Sequence, residues 1–94
     1  MRIAVKFFTT LREIAGKREE EIEARDDVTV KEILKYLSEK HGREFVDYLY
    51  DTEGRAKSYL QFLVNGRSIT TLEGFETKLK NGDQVAIIPP VGGG

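Results

Sequence analysis

A chain of 94 residues is long enough for one domain with a modest core and too short for two. Its formal net charge of −1, from 15 basic and 16 acidic side chains interspersed along the sequence, lacks the basic excess that a phosphate backbone selects, so nucleic acid is not expected as a partner. The absence of cysteine removes disulfides, thiolate metal sites and a cysteine nucleophile, and no apolar run approaches the ~20 residues that span a bilayer.

The start of the chain enters a strand pattern rather than a signal peptide, so no membrane role and a cytoplasmic location are expected. Residues 2–9 alternate, with Ile3, Val5 and Phe7 on one side and Ala4, Lys6 and Phe8 on the other. One helical turn over 11–15 follows, and Gly16 is placed to end it. A second strand is expected over 19–24 with Ile22 inward. Its glutamates Glu19, Glu20, Glu21 and Glu23 suit a solvated edge, where charge discourages unwanted pairing, and their spacing matches no loop-type cation site. Asp26 and Asp27 turn the chain into its strongest local signal. Thr29 and Glu32 form a capping box, Val28 can pack on Ile33 as a hydrophobic staple, and Val30, Ile33, Leu34 and Leu37 share one stripe of a helix that runs to His41. Gly42 ends that helix. His41 lies where a cation complements the helix dipole, so it is expected to be a solvated capping residue rather than a base or a ligand.

Residues 44–50 read as a second short helix that pairs Phe45 with Leu49, and residues 51–54 as a turn. A strand over 59–64 and another over 67–69 flank Asn65-Gly66, the dipeptide of a two-residue hairpin. Residues 70–78 are expected to be irregular, anchored by Leu72, Phe75 and Leu79, and Asn81-Gly82-Asp83 turns the chain into a last strand over 85–88. The order β-β-α-β-β-β with one long helix gives an α+β fold of the β-grasp type, a mixed sheet of about five strands wrapped over that helix. One helix covers only one side of a sheet, yet Phe8, Leu63 and Ile88 alternate with Phe7, Phe62 and Ile87. They are expected to gather on the uncovered side as a partner-binding patch, unless residues 43–58 fold over them.

The end of the chain has its own pattern. The continuous apolar run of the last strand is that of a strand in the middle of a sheet, and Pro89 and Pro90 stop it, because neither has an N–H to donate and both fix φ. Beyond this stiff spacer, residues 91–94 span roughly 13 Å at ~3.3 Å per residue. Gly92, Gly93 and Gly94 carry no Cβ and can thread a channel closed to side chains, but ordering them costs about 1–2 kcal/mol each. Residues 1–90 are therefore expected to be the domain and 91–94 a flexible tail that a partner holds. No triad, metal site or nucleotide cradle can be assembled from the remaining residues, which leaves the terminal carboxylate. As it stands it is a poor electrophile, because its charge is delocalised and solvated.

The stretch Leu79-Lys80-Asn81-Gly82-Asp83-Gln84-Val85-Ala86-Ile87-Ile88-Pro89-Pro90-Val91-Gly92-Gly93-Gly94 closely resembles the C-terminus of the MoaD family of ubiquitin-like sulfur carriers, the small subunits of molybdopterin synthase. Val5-Lys6-Phe7-Phe8-Thr9-Thr10-Leu11-Arg12-Glu13-Ile14-Ala15-Gly16 resembles that family's first strand and turn. Two features depart from it: Gly92 stands where the family often has a small side chain, and residues 43–58 form a longer segment than in its shorter members. The resemblance implies that the first and last strands lie side by side and parallel. It implies that an E1-like (MoeB-like) adenylyltransferase uses ATP to adenylate Gly94, with no cofactor bound and no catalysis performed by the chain alone. A sulfur donor then leaves a thiocarboxylate, and the large (MoaE-like) subunit passes that sulfur to cyclic pyranopterin monophosphate in molybdenum cofactor biosynthesis. In those terms Gly94 carries the sulfur, Gly93 and Gly92 permit the fit, Pro89 and Pro90 set the reach, and Arg12 adds a rim contact to the patch of Phe8, Leu63 and Ile88. Three other readings stay open: a ubiquitin-like modifier joined to lysines of target proteins, a sulfur carrier for the thiazole of thiamin, and an adaptor that binds through its sheet.

Overall fold

The computed structural model describes residues 1–90. The alternation at the start of the chain forms β1 (Arg2–Lys6), with Ile3 and Val5 fully buried. The strand ends earlier than alternation alone suggests, because Thr9 takes φ 45° and opens α1 (Thr9–Ala15) at once. A β-branched residue in the left-handed region carries strain. Its effect here is to fold α1 back beside Phe8. Gly16, at φ 78°, closes α1 and donates its N–H to the Arg12 carbonyl, as a left-handed glycine cap does. β2 (Glu19–Glu23) then returns antiparallel to β1, with Ile22 opposite Ile3 and Glu20 opposite Val5.

α2 (Val30–His41) begins at the expected box, with the Glu32 N–H donating to Thr29 Oγ1 at 3.2 Å and the Thr29 N–H donating to Glu32 Oε1 at 3.0 Å. Val30, Ile33, Leu34 and Leu37 are all buried, and Val28 joins the same core. α3 (Arg43–Leu49) follows directly on Gly42 and buries Phe45 and Leu49 completely. β3 (Gln61–Val64) starts later than residue 59, since the Leu60 N–H still donates back to the Lys57 carbonyl in a turn. Asn65 and Gly66, at φ 51° and 84°, make the tight connection to β4 (Arg67–Ser68). The stretch expected to be irregular holds two short 3₁₀ turns, Ile69–Thr71 and Gly74–Glu76. β5 (Gln84–Ile88) completes a sheet of order β2-β1-β5-β3-β4, in which β1 and β5 are parallel and every other pair is antiparallel. The fold is an α+β β-grasp, a five-stranded mixed sheet over α2, with α1 and α3 as additions.

Two expectations of solvent exposure are overturned. Glu20 shares the inward parity of Ile22 and is only 4% exposed. Its carboxylate meets the last turn of α2, with Lys40 Nζ at 2.6 Å from one oxygen and His41 Nε2 at 2.9 Å from the other, while Lys17 Nζ stands 3.8 Å away. Burial disfavours the charged form, but the hydrogen bonds from Lys40 and His41, with the charges of Lys40 and Lys17, outweigh it and hold the Glu20 pKa below the usual glutamate value. His41 is correspondingly not a solvated cap. Its ring stacks on Phe45 at 5.3 Å between centroids and meets Phe7 edge-on at 6.2 Å. Glu19, Glu21 and Glu23 do stay exposed, and among the described residues no cluster of His, Cys, Asp and Glu is arranged to hold a metal ion.

Candidate functional site

The pairing of three strands builds the uncovered side of the sheet. The register places Lys6, Ala86, Leu63 and Ser68 in one row across β1, β5, β3 and β4, all on the side away from α2. Ile88 pairs with Gln61 in the adjoining row, and Phe8, two residues beyond Lys6 in extended backbone, shares the parity of Lys6. Phe8, Leu63 and Ile88 are all partly exposed, and Ala86, beside Leu63 in the first row, is 9% exposed. The three apolar residues singled out by parity therefore share this face.

The longer segment does not fold over them. α3 and the residues after it lie on the helix side, where Phe45 and Leu49 enter the core and Tyr50 and Ala56 line a groove with Leu34 and Lys35 of α2. The covering role weighed for residues 43–58 is thus excluded by where their own apolar side chains are buried.

Arg12 reaches this face through α1. The Phe8 carbonyl accepts the N–H groups of Leu11 and Arg12 at 3.1 and 3.4 Å, so the first turn of α1 is wound tightly onto Phe8. The Arg12 guanidinium carbon lies 5.9 Å from the centre of the Phe8 ring, within reach of a cation–π interaction. Arg12 Nε is buried and has no hydrogen-bond partner among the described residues. An N–H left in that state costs free energy that an outside acceptor can recover. The combination is a flat apolar patch with a cationic rim.

β5 runs out beside this patch. β1 pairs with it over Gln84–Ala86 and β3 over Val85–Ile88, which makes β5 a central strand of the sheet. Pro89 is partly buried and Pro90 exposed, and with no N–H on either the ladder stops at Ile88. The glycine tail, with Gly92, Gly93 and Gly94, lies outside the described residues.

Parity also predicts Ala86 and Lys6 on this face, although neither stands out by composition. Ala86 is the small residue paired with Leu63 and Lys6 on this face.

The chain matches the ThiS family over residues 5–94. This chain belongs to the ThiS family. With all of both chains covered, it is 35% identical to small archaeal modifier protein 3 of Haloferax volcanii and 31% identical to the molybdopterin synthase sulfur carrier subunit of Chlamydomonas reinhardtii. Its fold superposes on the crystal structure of SAMP1 from Haloferax volcanii with a TM-score of 0.86 at 26% identity, again over all of both chains. This ThiS-family protein is therefore of the ubiquitin-like sulfur carrier and modifier type. No helix among its described residues is long and apolar enough to cross a membrane.

Proposed function

We propose that this protein carries sulfur on Gly94 and donates it as the small subunit of a molybdopterin synthase. An E1-like adenylyltransferase docks on the patch of Phe8, Leu63 and Ile88, with Arg12 at its rim. The carboxylate of Gly94 attacks the α-phosphorus of ATP, pyrophosphate leaves, and an acyl adenylate forms. A sulfide equivalent from a donor protein then displaces AMP, which departs with one of the former carboxylate oxygens, and the thiocarboxylate remains. Residues 1–90 serve as the domain that partners grip, and residues 91–94 as the segment they take up. Pro89 and Pro90 hold it away from the sheet, and Gly92 and Gly93 let it enter the large subunit's channel.

The observation that carries this reading is the central β5, which runs out beside an uncovered apolar face and ends in two prolines. The full-length likeness to a molybdopterin synthase sulfur carrier subunit supports it. Intact mass after co-expression with an activating enzyme tests it. The expected product has one oxygen replaced by sulfur, and deletion of Gly94 abolishes it. Persistence of the sulfur after that deletion refutes the reading.

The full-length likeness to small archaeal modifier protein 3 supports a second reading, in which the same adenylate is passed to lysines of other proteins. Its signature in tryptic digests of cells expressing the protein is the branched remnant Asn81–Gly94 on lysine, since Lys80 is the last tryptic site before the tail. The absence of that remnant leaves the carrier role alone.

A further inference from the structure

On the helix side of the molecule, the residues after α3 build a second surface. Tyr50 and Ala56 form an antiparallel bridge, and the turn between them is pinned by Asp51, whose Oδ1 accepts the N–H groups of Glu53 at 2.8 Å and Arg55 at 3.0 Å. The base of this small hairpin is tied down as well. The Lys57 N–H donates to the Leu49 carbonyl at 2.9 Å and Lys57 Nζ to the Asp47 carbonyl at 2.6 Å.

Between the hairpin, α2 and the turn Gly74–Glu76 runs a groove of about 930 Å³. Its floor is Leu34, Val46, Tyr50, Ala56 and Phe75, and Phe75 is fixed edge-on against Phe62 at 5.2 Å. Such a floor takes apolar side chains, and its walls are held in place rather than swinging freely.

The charges on the rim are unequal in their freedom. Lys31 and Lys35 are exposed one turn apart on the α2 wall, and neither is in an ion pair among the described residues. Glu32 is already engaged by Thr29 and Arg25, and Arg55 is paired with Glu53 at 3.3 Å. Glu76 precedes Thr77, whose carbonyl accepts the Val30 N–H, so it sits at the end of the groove where α2 begins. Glu76 is in no ion pair among the described residues either, so the α2 wall offers two unpaired ammonium groups above an apolar floor, with one free carboxylate at the groove's end.

We propose that this groove docks an acidic amphipathic segment of a partner protein, with its aliphatic side chains on the floor and its carboxylates over Lys31 and Lys35. Apolar burial supplies the affinity, and the two lysines select against basic segments. A nucleic acid fits neither the apolar floor nor the net charge of −1. Because the groove and the open sheet face lie on different sides, a partner held here leaves the Pro90 end accessible. The proposal stands independently of what is attached to Gly94.

The test is a nuclear magnetic resonance titration of the full isotope-labelled chain with a short peptide of pattern Leu-Glu-Glu-Leu-Leu-Glu and with its counterpart carrying lysine for glutamate. The acidic peptide alone is expected to shift the resonances of Lys31, Lys35, Tyr50, Ala56 and Phe75. Added salt weakens it, and the double variant Lys31→Glu, Lys35→Glu weakens it about tenfold. Both lysines are exposed, so the double variant is expected to keep the native melting temperature. The proposal is overturned by any of four results: no shift with the acidic peptide, equal shifts with both peptides, shifts on Phe8, Leu63 and Ile88 instead, or an acidic-peptide affinity that the double variant leaves unchanged. Peptide-free dimerisation through these same groove residues also overturns it, because the occupant is then a second copy.

Discussion

Glu20 faces the core from the inner side of an edge strand, and a lone carboxylate there would be an uncompensated charge. The last turn of α2 supplies the compensation through Lys40 and His41. Replacing Glu20 with Gln keeps the shape and removes the charge. Lys40 is half in water, which screens its share, so the variant is expected to lose about 1–2 kcal/mol at neutral pH. The sign of the pH dependence follows from a folded pKa below the usual value of 4.5. The stabilisation is complete above that value and drains away as pH falls through the depressed folded pKa. Denaturant unfolding of both proteins from neutral pH downward should therefore show a gap that closes in acid. A gap that stays constant means the carboxylate contributes by packing alone. The inward position of Glu20 was legible from its parity with Ile22, but four glutamates in five residues read as an edge facing water. The partners that make burial tolerable lie twenty residues away and leave no local mark.

At the scale of elements, α2 was readable to the residue because its start, stripe and stop are all local: the cap at Thr29, the box with Glu32, four apolar positions on one side, and Gly42. Thr29→Ala removes the acceptor for the Glu32 N–H and is expected to cost about 1 kcal/mol, lowering the melting temperature by roughly 4–8 °C in a domain of this size. Thermal unfolding followed by circular dichroism measures it, and an unchanged midpoint means the helix end is held by tertiary packing alone. The hairpin at Asn65-Gly66 was legible for the same reason, since its two positive φ angles are what that dipeptide supplies. Strand ends were less legible. Alternation runs on through Phe8, yet Thr9 leaves the strand for the left-handed region, and nothing in a threonine announces that. The two 3₁₀ turns were hidden too, because side-chain to backbone hydrogen bonds hold them, such as the Thr77 hydroxyl donating to the Gly74 carbonyl at 2.6 Å, and these follow no periodic pattern.

For the whole molecule, the parallel pairing of β1 with β5 decides everything that concerns the end of the chain, and periodicity could not deliver it. It came from resemblance. Once the two strands are side by side, parity alone puts Phe8, Leu63 and Ile88 on one uncovered face, and that much the sequence did contain. Ile88 is the most informative of the three, because it is the last residue of the strand that leads to Pro89 and Pro90. It is partly exposed and pairs with exposed Gln61, so Ile88→Asp is expected to change stability by no more than about 1 kcal/mol. If the face is where an activating enzyme docks, an apolar anchor on it carries about 2 kcal/mol of binding, and its loss weakens the complex roughly thirtyfold. Calorimetric titration of the variant into an E1-like adenylyltransferase, beside a melting curve of the variant alone, separates the two effects. An affinity equal to that of the unaltered protein moves the docking surface off the sheet. A thirtyfold loss with a native melting temperature fixes it there.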